Sequence, residues 1–241
     1  DLIDEFTVEA GRPDCLNAEK KLRAMEEAGV NRISINPQTM HDRTLVTIGR
    51  QHTVKQIYEA FTAIRKCNIP VVNMDLIVGL PQERIIDIKY SLDKMLDFYP
   101  ENLTVHTLAL KKTSPLFQIC NDFEFISAVE ASQVFDYASL VAEKLGMSPY
   151  YLYRQHYMLG NLANIGYAKQ GTECIYNMQM MEEQYTVIGI GPSSATKVPA
   201  SDGHHLYKFH MPKNFYDYKT NAKQLFAKRA ATVALRYEQE E

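Results

Sequence analysis

Polar and apolar positions alternate with a period of two in four short stretches of the chain, and with a period near 3.6 in the segments between them. Phe6 to Gly11 (FTVEAG) predicts a strand, and Asn17 to Ala28 a helix with Leu22, Met25 and Ala28 on one face, closed by Gly29 as C-cap. Arg32 to Gln38 (RISINPQ) predicts a second strand. Two helical pieces then run through Ile64, broken near Gly49 and restarting at Thr53 as N-cap. Asn73 to Gly79 is the third predicted strand, followed by a helix from Asp87 to Tyr99. Leu103 to Leu110 (LTVHTLAL) is the fourth, followed by a helix from Ala128 to Leu145. Repeats of this size imply parallel strands joined by right-handed crossovers, so the predicted class is α/β.

The same alternation says which way each strand faces. Phe6, Val8 and Ala10 share one side against Thr7, Glu9 and Gly11, and Ile33 and Ile35 oppose Ser34, Asn36 and Gln38. Met74, Leu76 and Val78 oppose Asn73, Asp75 and Ile77. A doubly wound sheet covers both faces with helices and reads as nearly continuous apolar runs, which these strands do not. One apolar and one polar face fit a full or partial TIM-type barrel, with Glu9, Gln38 and Asp75 lining one interior. Asp75 stands near the middle of NMDLIVGLP, where an ionised carboxylate without partners costs several kcal/mol, so it is either paired or faces something polar. One such residue is as easily part of an internal network as of a ligand site; three on successive strands favour a ligand site.

Composition narrows the function classes. With 26 basic and 29 acidic side chains in 241 residues, the formal charge of −3 gives no pull towards nucleic acid or an anionic membrane. No apolar run approaches the roughly 20 residues of a membrane span, and no signal peptide is visible. Cys15, Cys67, Cys120 and Cys174 form no Cys-x-x-Cys pair, so they read as scattered thiols in a reducing, cytoplasmic compartment and not as a zinc or self-contained iron–sulfur site. The chain begins at Asp1, without Met, almost directly in a strand, which predicts the C-terminal part of a longer protein.

FTVEAGRPD, GVNRISINPQTMHDRTLVTIGRQHT, NMDLIVGLP and LTVHTLALKKTSPL, in this order and spacing, resemble the radical S-adenosylmethionine enzymes of the oxygen-independent coproporphyrinogen III oxidase family. PYYLYRQHYMLGNLANIGYAKQGTECIYN and VIGIGPSSAT are similar to the C-terminal portion of its oxidase-like branch. The resemblance implies that Glu9, Gln38, Arg50 and Asp75 contact S-adenosylmethionine and that Ala109 offers its backbone. It also puts Ile190, Gly191 and Ala195 in the segment that closes over the cofactor pocket. Carboxylates and an amide suit the cofactor's ribose hydroxyls and ammonium, and Arg50 would complement its carboxylate or organise an acidic neighbour.

The family's Cys-x3-Cys-x2-Cys motif, which holds a [4Fe-4S] cluster, is absent from these 241 residues. Residues 1–148 therefore resemble the later four units of a six-unit radical barrel, with 149–241 as a small C-terminal extension packing on it. The strand around Val8 should then present an unpaired edge. In the intact protein the resemblance implies decarboxylation of coproporphyrinogen III to protoporphyrinogen IX, with an electron donor such as flavodoxin or ferredoxin. The alternatives are a haem-binding chaperone of the same superfamily and a non-catalytic binding module, and the isolated chain should lack the cluster and be inactive. Two segments stay open: IGIGPSSA reads as a phosphate nest or as a strand entering a glycine turn, and PYYLYRQHY as a stacking surface for a flat macrocycle or as ordinary packing. The spacing of His204, His205 and His210 matches no standard metal pattern.

Overall fold

The computed structural model describes residues 3–16, 19–110, 115–118, 122–154, 158, 162–200 and 205–234. The chain divides into two compact units, Asp1–Cys174 and Ile175–Glu241.

In the first unit, four parallel strands follow one another in chain order: β1 (Thr7–Gly11), β2 (Arg32–Gln38), β3 (Val71–Val78) and β4 (Asn102–Thr107). The crossovers carry α1 (Glu19–Glu27), α2 (Asp42–Thr47) with α3 (Val54–Ile64), and α4 (Ile85–Phe98). After α5 (Pro115–Gln118) and α6 (Ala128–Lys144), the chain adds β5 (Ser148–Tyr153) and β6 (Asn164–Ala168). These two run antiparallel to each other, and β6 runs antiparallel to β4, so the sheet order is β1-β2-β3-β4-β6-β5. Among the described residues β1 and β5 are therefore the two edges.

The apolar face carries the core. Ile33, Ile35, Met74, Leu76, Val78, Leu103 and Val105 are buried against Ile57 and Ile64 of α3, Leu92 and Met95 of α4, and Val134 and Val141 of α6. Each such side chain stabilises the fold by about 1.5–3 kcal/mol relative to exposure. The helix starts are fixed locally. Thr53 accepts from Gln56 N while the Gln56 side chain accepts from Thr53 N, and Ser127 and Glu130 do the same for α6. Gly29, at φ +81°, ends the first crossover in a conformation that glycine adopts without steric cost.

The second unit holds α7 (Ile175–Glu182), an antiparallel pair of β7 (Ala195–Pro199) and β8 (Leu206–His210), then α8 (Phe215–Thr220) and α9 (Ala222–Ala234). Before β7 the chain approaches its own backbone so closely that a Cβ on Gly189 would lie 2.4 Å from the Ala195 carbonyl oxygen.

Candidate functional site

The polar face is layered by strand register. Glu9, Ser34 and Asn73 are paired neighbours on β1, β2 and β3. Asp75 pairs with Thr104 one layer nearer the C-terminal strand ends, and His106 stands one layer beyond Thr104 on β4. Asn73 is the hub. Its Nδ2 donates to Ser34 Oγ at 2.8 Å and to Asp75 Oδ1 at 2.7 Å, and its Oδ1 accepts from Thr104 Oγ1 at 3.1 Å. Both amide hydrogens and the amide oxygen are thus engaged. Asp75, 8% exposed, is accordingly hydrogen-bonded, and His106 Nε2 lies 3.8 Å from its other oxygen.

Glu9 joins this group from β1. It keeps surface access at the sheet edge, yet the protein around it limits its hydration. Burial first, and then the negative charge of Asp75, push its carboxyl above the ordinary range. The Ser34 hydroxyl, His106 and Arg32 pull the other way. Two carboxylates that disfavour each other's charge are relieved by a cation or by hydroxyl donors placed between them. That is the chemistry this face can perform.

Below this layer, at the N-terminal strand ends, the guanidinium of Arg32 forms the floor. Nε donates to Glu5 Oε2 at 3.2 Å, Nη1 to Asn102 Oδ1, and Nη2 to the Thr172 carbonyl oxygen at 2.6 Å. Asn102 Nδ2 in turn donates to Thr172 Oγ1 at 3.2 Å.

Thr104, His106 and Tyr151 also belong to this face. The first two are legible from the alternation of LTVHTL once β4 is read as its sisters are. Tyr151 is not, because it comes from the antiparallel β5–β6 addition to a sheet whose first four strands are parallel. Burial pushes its phenol far above the ordinary range, with Thr104 beside it opposing the shift, so the hydroxyl keeps its proton. The ring lies over Gly166, its cross-strand partner, where an added Cβ would come within 1.9 Å of the ring. Gly166→Ala is therefore expected to displace the Tyr151 ring and to destabilise the first unit by about 1–3 kcal/mol, the range for overpacking. A denaturant titration beside Tyr151→Phe checks this, since Phe removes the hydroxyl but keeps the ring.

At the C-terminal strand ends, the loops after β2 and β3 are tied together. Thr39 Oγ1 donates to Glu83 Oε1 at 2.5 Å, and Met40 N donates to Ser91 Oγ at 3.0 Å. Burial raises the Glu83 carboxyl above its ordinary range.

Gln38 stands differently from simple alternation. β2 advances three residues from Ile35 to Gln38 while β3 advances two, so Gln38 is registered with Leu76 and not with Asp75. Its φ is 70°, and it is buried. Arg50, half-buried, lies on the loop between α2 and α3, and Ala109 makes an isolated antiparallel bridge with Met158.

Ile190, Gly191 and Ala195 fall in the second unit. Ile190 is exposed, Gly191 has φ +98° and accepts from Ser194 Oγ at 2.7 Å, and Ala195 opens β7. IGIGPSSA is thus a tight turn into a strand. Of PYYLYRQHY, Pro149–Tyr153 lie in β5, and residues 155–157 lie outside the described residues, as does His204. Among the described residues no three His, Cys, Asp or Glu side chains are gathered to hold a metal ion, and no helix is long and apolar enough to cross a membrane.

Residues 4–95, which include Glu9, Gln38, Arg50 and Asp75, match the family model described as Radical SAM superfamily. The chain belongs to that superfamily, whose members bind S-adenosylmethionine and a [4Fe-4S] cluster. Among curated proteins it is 42% identical over 212 residues to the oxygen-independent coproporphyrinogen-III oxidase-like protein HemZ of Bacillus subtilis, covering 88% of this chain and 42% of that protein. It is 34% identical over 117 residues to the heme chaperone HemW of the same organism, covering 48% of this chain and 30% of that protein. The chain thus spans less than half the length of these relatives. Its fold is that of the coproporphyrinogen III oxidase HemN from Escherichia coli, a radical SAM enzyme, with a TM-score of 0.67 at 15% identity over 91% of this chain and 49% of that one. The architecture is accordingly a partial TIM-type (β/α) barrel.

Proposed function

We propose that this chain forms the S-adenosylmethionine-binding part of a cytoplasmic, oxygen-independent coproporphyrinogen III oxidase-like enzyme. The observation that carries the reading is the meeting of Glu9 and Asp75 on one polar face, with Asp75 held by Asn73 and Glu9 pushed above its ordinary range by burial and by Asp75. A cationic, hydroxyl-bearing ligand answers that arrangement. Glu9 and Asp75 would take its ammonium and ribose hydroxyls, Gln38 and Ala109 would add an amide and a backbone group, and Arg50 would complement its carboxylate.

When bound, the cofactor and its cluster supply the hydrogen abstraction that lets propionate side chains of the porphyrinogen lose carbon dioxide. The protein's part is to orient the ligand and to keep water from it. The described residues gather no ligand set for the cluster, which in the whole protein would lie outside them, with the electron coming from a flavodoxin- or ferredoxin-like donor.

The 34% identity to a heme chaperone supports a second reading, in which the same superfamily frame holds haem without turning over a porphyrinogen. One experiment separates the two. Full-length protein with its cluster reconstituted anaerobically is expected to convert coproporphyrinogen III to protoporphyrinogen IX when supplied with S-adenosylmethionine and reductant. Stable haem retention without turnover would replace the oxidase reading with the chaperone one.

A further inference from the structure

His52 is 2% exposed and lies between α2 and α3, two residues after Arg50. Its Nε2 is 3.3 Å from the carbonyl oxygen of Pro37. A carbonyl only accepts, so Nε2 carries the hydrogen and Nδ1 is left as an acceptor, buried and without a partner among the described residues. The ring is kept neutral chiefly by burial. Arg50 and Arg12 face it and add to that effect, while Asp14 and the Pro37 carbonyl oppose it.

The carbonyl that His52 holds belongs to the peptide joining Pro37 to Gln38. Rotation of that peptide plane sets φ of Gln38, which is 70°, a left-handed value that residues carrying a Cβ resist. The bulge between Ile35 and Gln38 places this conformation at the C-terminal end of β2. One buried side chain therefore connects the backbone of Gln38 to the loop that carries Arg50.

We propose that His52 is a positioning residue of the ligand site: its Nε2–H anchors the Pro37–Gln38 peptide, holding Gln38 in its left-handed conformation and fixing the Arg50 loop against the end of β2. The inference rests on Gln38 and Arg50 acting as S-adenosylmethionine-binding residues, and it adds a residue that touches neither ligand nor reacting atoms. The imidazole works here as a neutral donor, so glutamine, whose Nε2 reaches a similar distance, should replace it, and an apolar residue of similar volume should not.

The test is calorimetric titration of the 241-residue chain with S-adenosylmethionine, comparing His52→Gln and His52→Leu. The Leu variant is expected to bind about tenfold more weakly and the Gln variant within about threefold of the parent, as for loss and retention of one hydrogen bond. Equal binding by Leu and parent, or equal loss in Gln and Leu, would overturn the proposal. Should His52→Leu not fold, His52→Met fills a similar volume without a donor and takes its place. If the parent chain does not bind S-adenosylmethionine, the cofactor reading of Gln38 and Arg50 is what fails. The anchoring is then judged by a crystal structure of the apolar variant: departure of Gln38 from positive φ supports it, and retention of that φ refutes it.

Discussion

Arg32→Ala is expected to lower the stability of the first unit by about 3–5 kcal/mol, the cost of removing one partner of a buried ion pair. Arg32 is 5% exposed, and its guanidinium satisfies the Glu5 carboxylate, the Asn102 amide oxygen and the Thr172 carbonyl together. Truncation leaves a poorly solvated carboxylate, a buried amide oxygen and a part-buried carbonyl short of a donor, while alanine offers nothing to any of them. These groups come from the lead into β1, from the start of β4 and from the turn after β6, so the loss reaches across the sheet. Arg32→Met should hurt less than Ala because it refills the volume, and Arg32→Met combined with Glu5→Gln less again because no charge is left unpaired. Urea unfolding of the three proteins measures this; a loss for Arg32→Ala below about 1 kcal/mol, the ordinary worth of an exposed pair, would show that the floor is solvated and not buried.

Much of this frame was legible in the sequence, because strand period and crossover spacing are local properties. FTVEAG, RISINPQ and NMDLIVG give the strands and the polar face, and Thr53 starts α3 where an N-cap residue should. The convergence of Glu9 and Asp75 followed from period two alone. Gln38 did not follow, because the extra residue between Ile35 and Gln38 breaks the period and nothing in INPQ except the proline marks it. Tyr151 lay beyond reach for a different reason. Its place over Gly166 depends on the pairing of β5 with β6, a long-range antiparallel choice with no local signal in SPYYLY. Asn73 was placed on the polar face by alternation, but its role as hub emerges only when hydrogen-bond directions across three strands are known.

Asp75→Ala is expected to weaken binding of S-adenosylmethionine to the intact protein by about 1.5–3 kcal/mol, the range for a hydrogen bond to a charged group. The substitution removes a carboxylate that Asn73 holds in place at 2.7 Å, and so removes both the charge and its orientation. Asp75→Asn keeps the shape and separates the two contributions. An unchanged dissociation constant in either variant, by calorimetry, would take Asp75 out of the site. The pH dependence carries a further signature, and its sign follows from Glu9. Burial and Asp75 hold the Glu9 carboxyl above 4.5, so as pH falls Glu9 is neutralised earlier than an ordinary glutamate and its attraction for the ligand's ammonium is lost. Affinity of the parent should therefore decline on acidification while ordinary glutamates are still ionised. With Asp75 neutral or absent, one of the two influences that raise Glu9 is gone, and the decline should move to lower pH even though binding is weaker throughout. A variant that binds more weakly but keeps the parent's pH profile would mean that the two carboxylates do not share one ligand, and the polar face would then be two separate features and not one site.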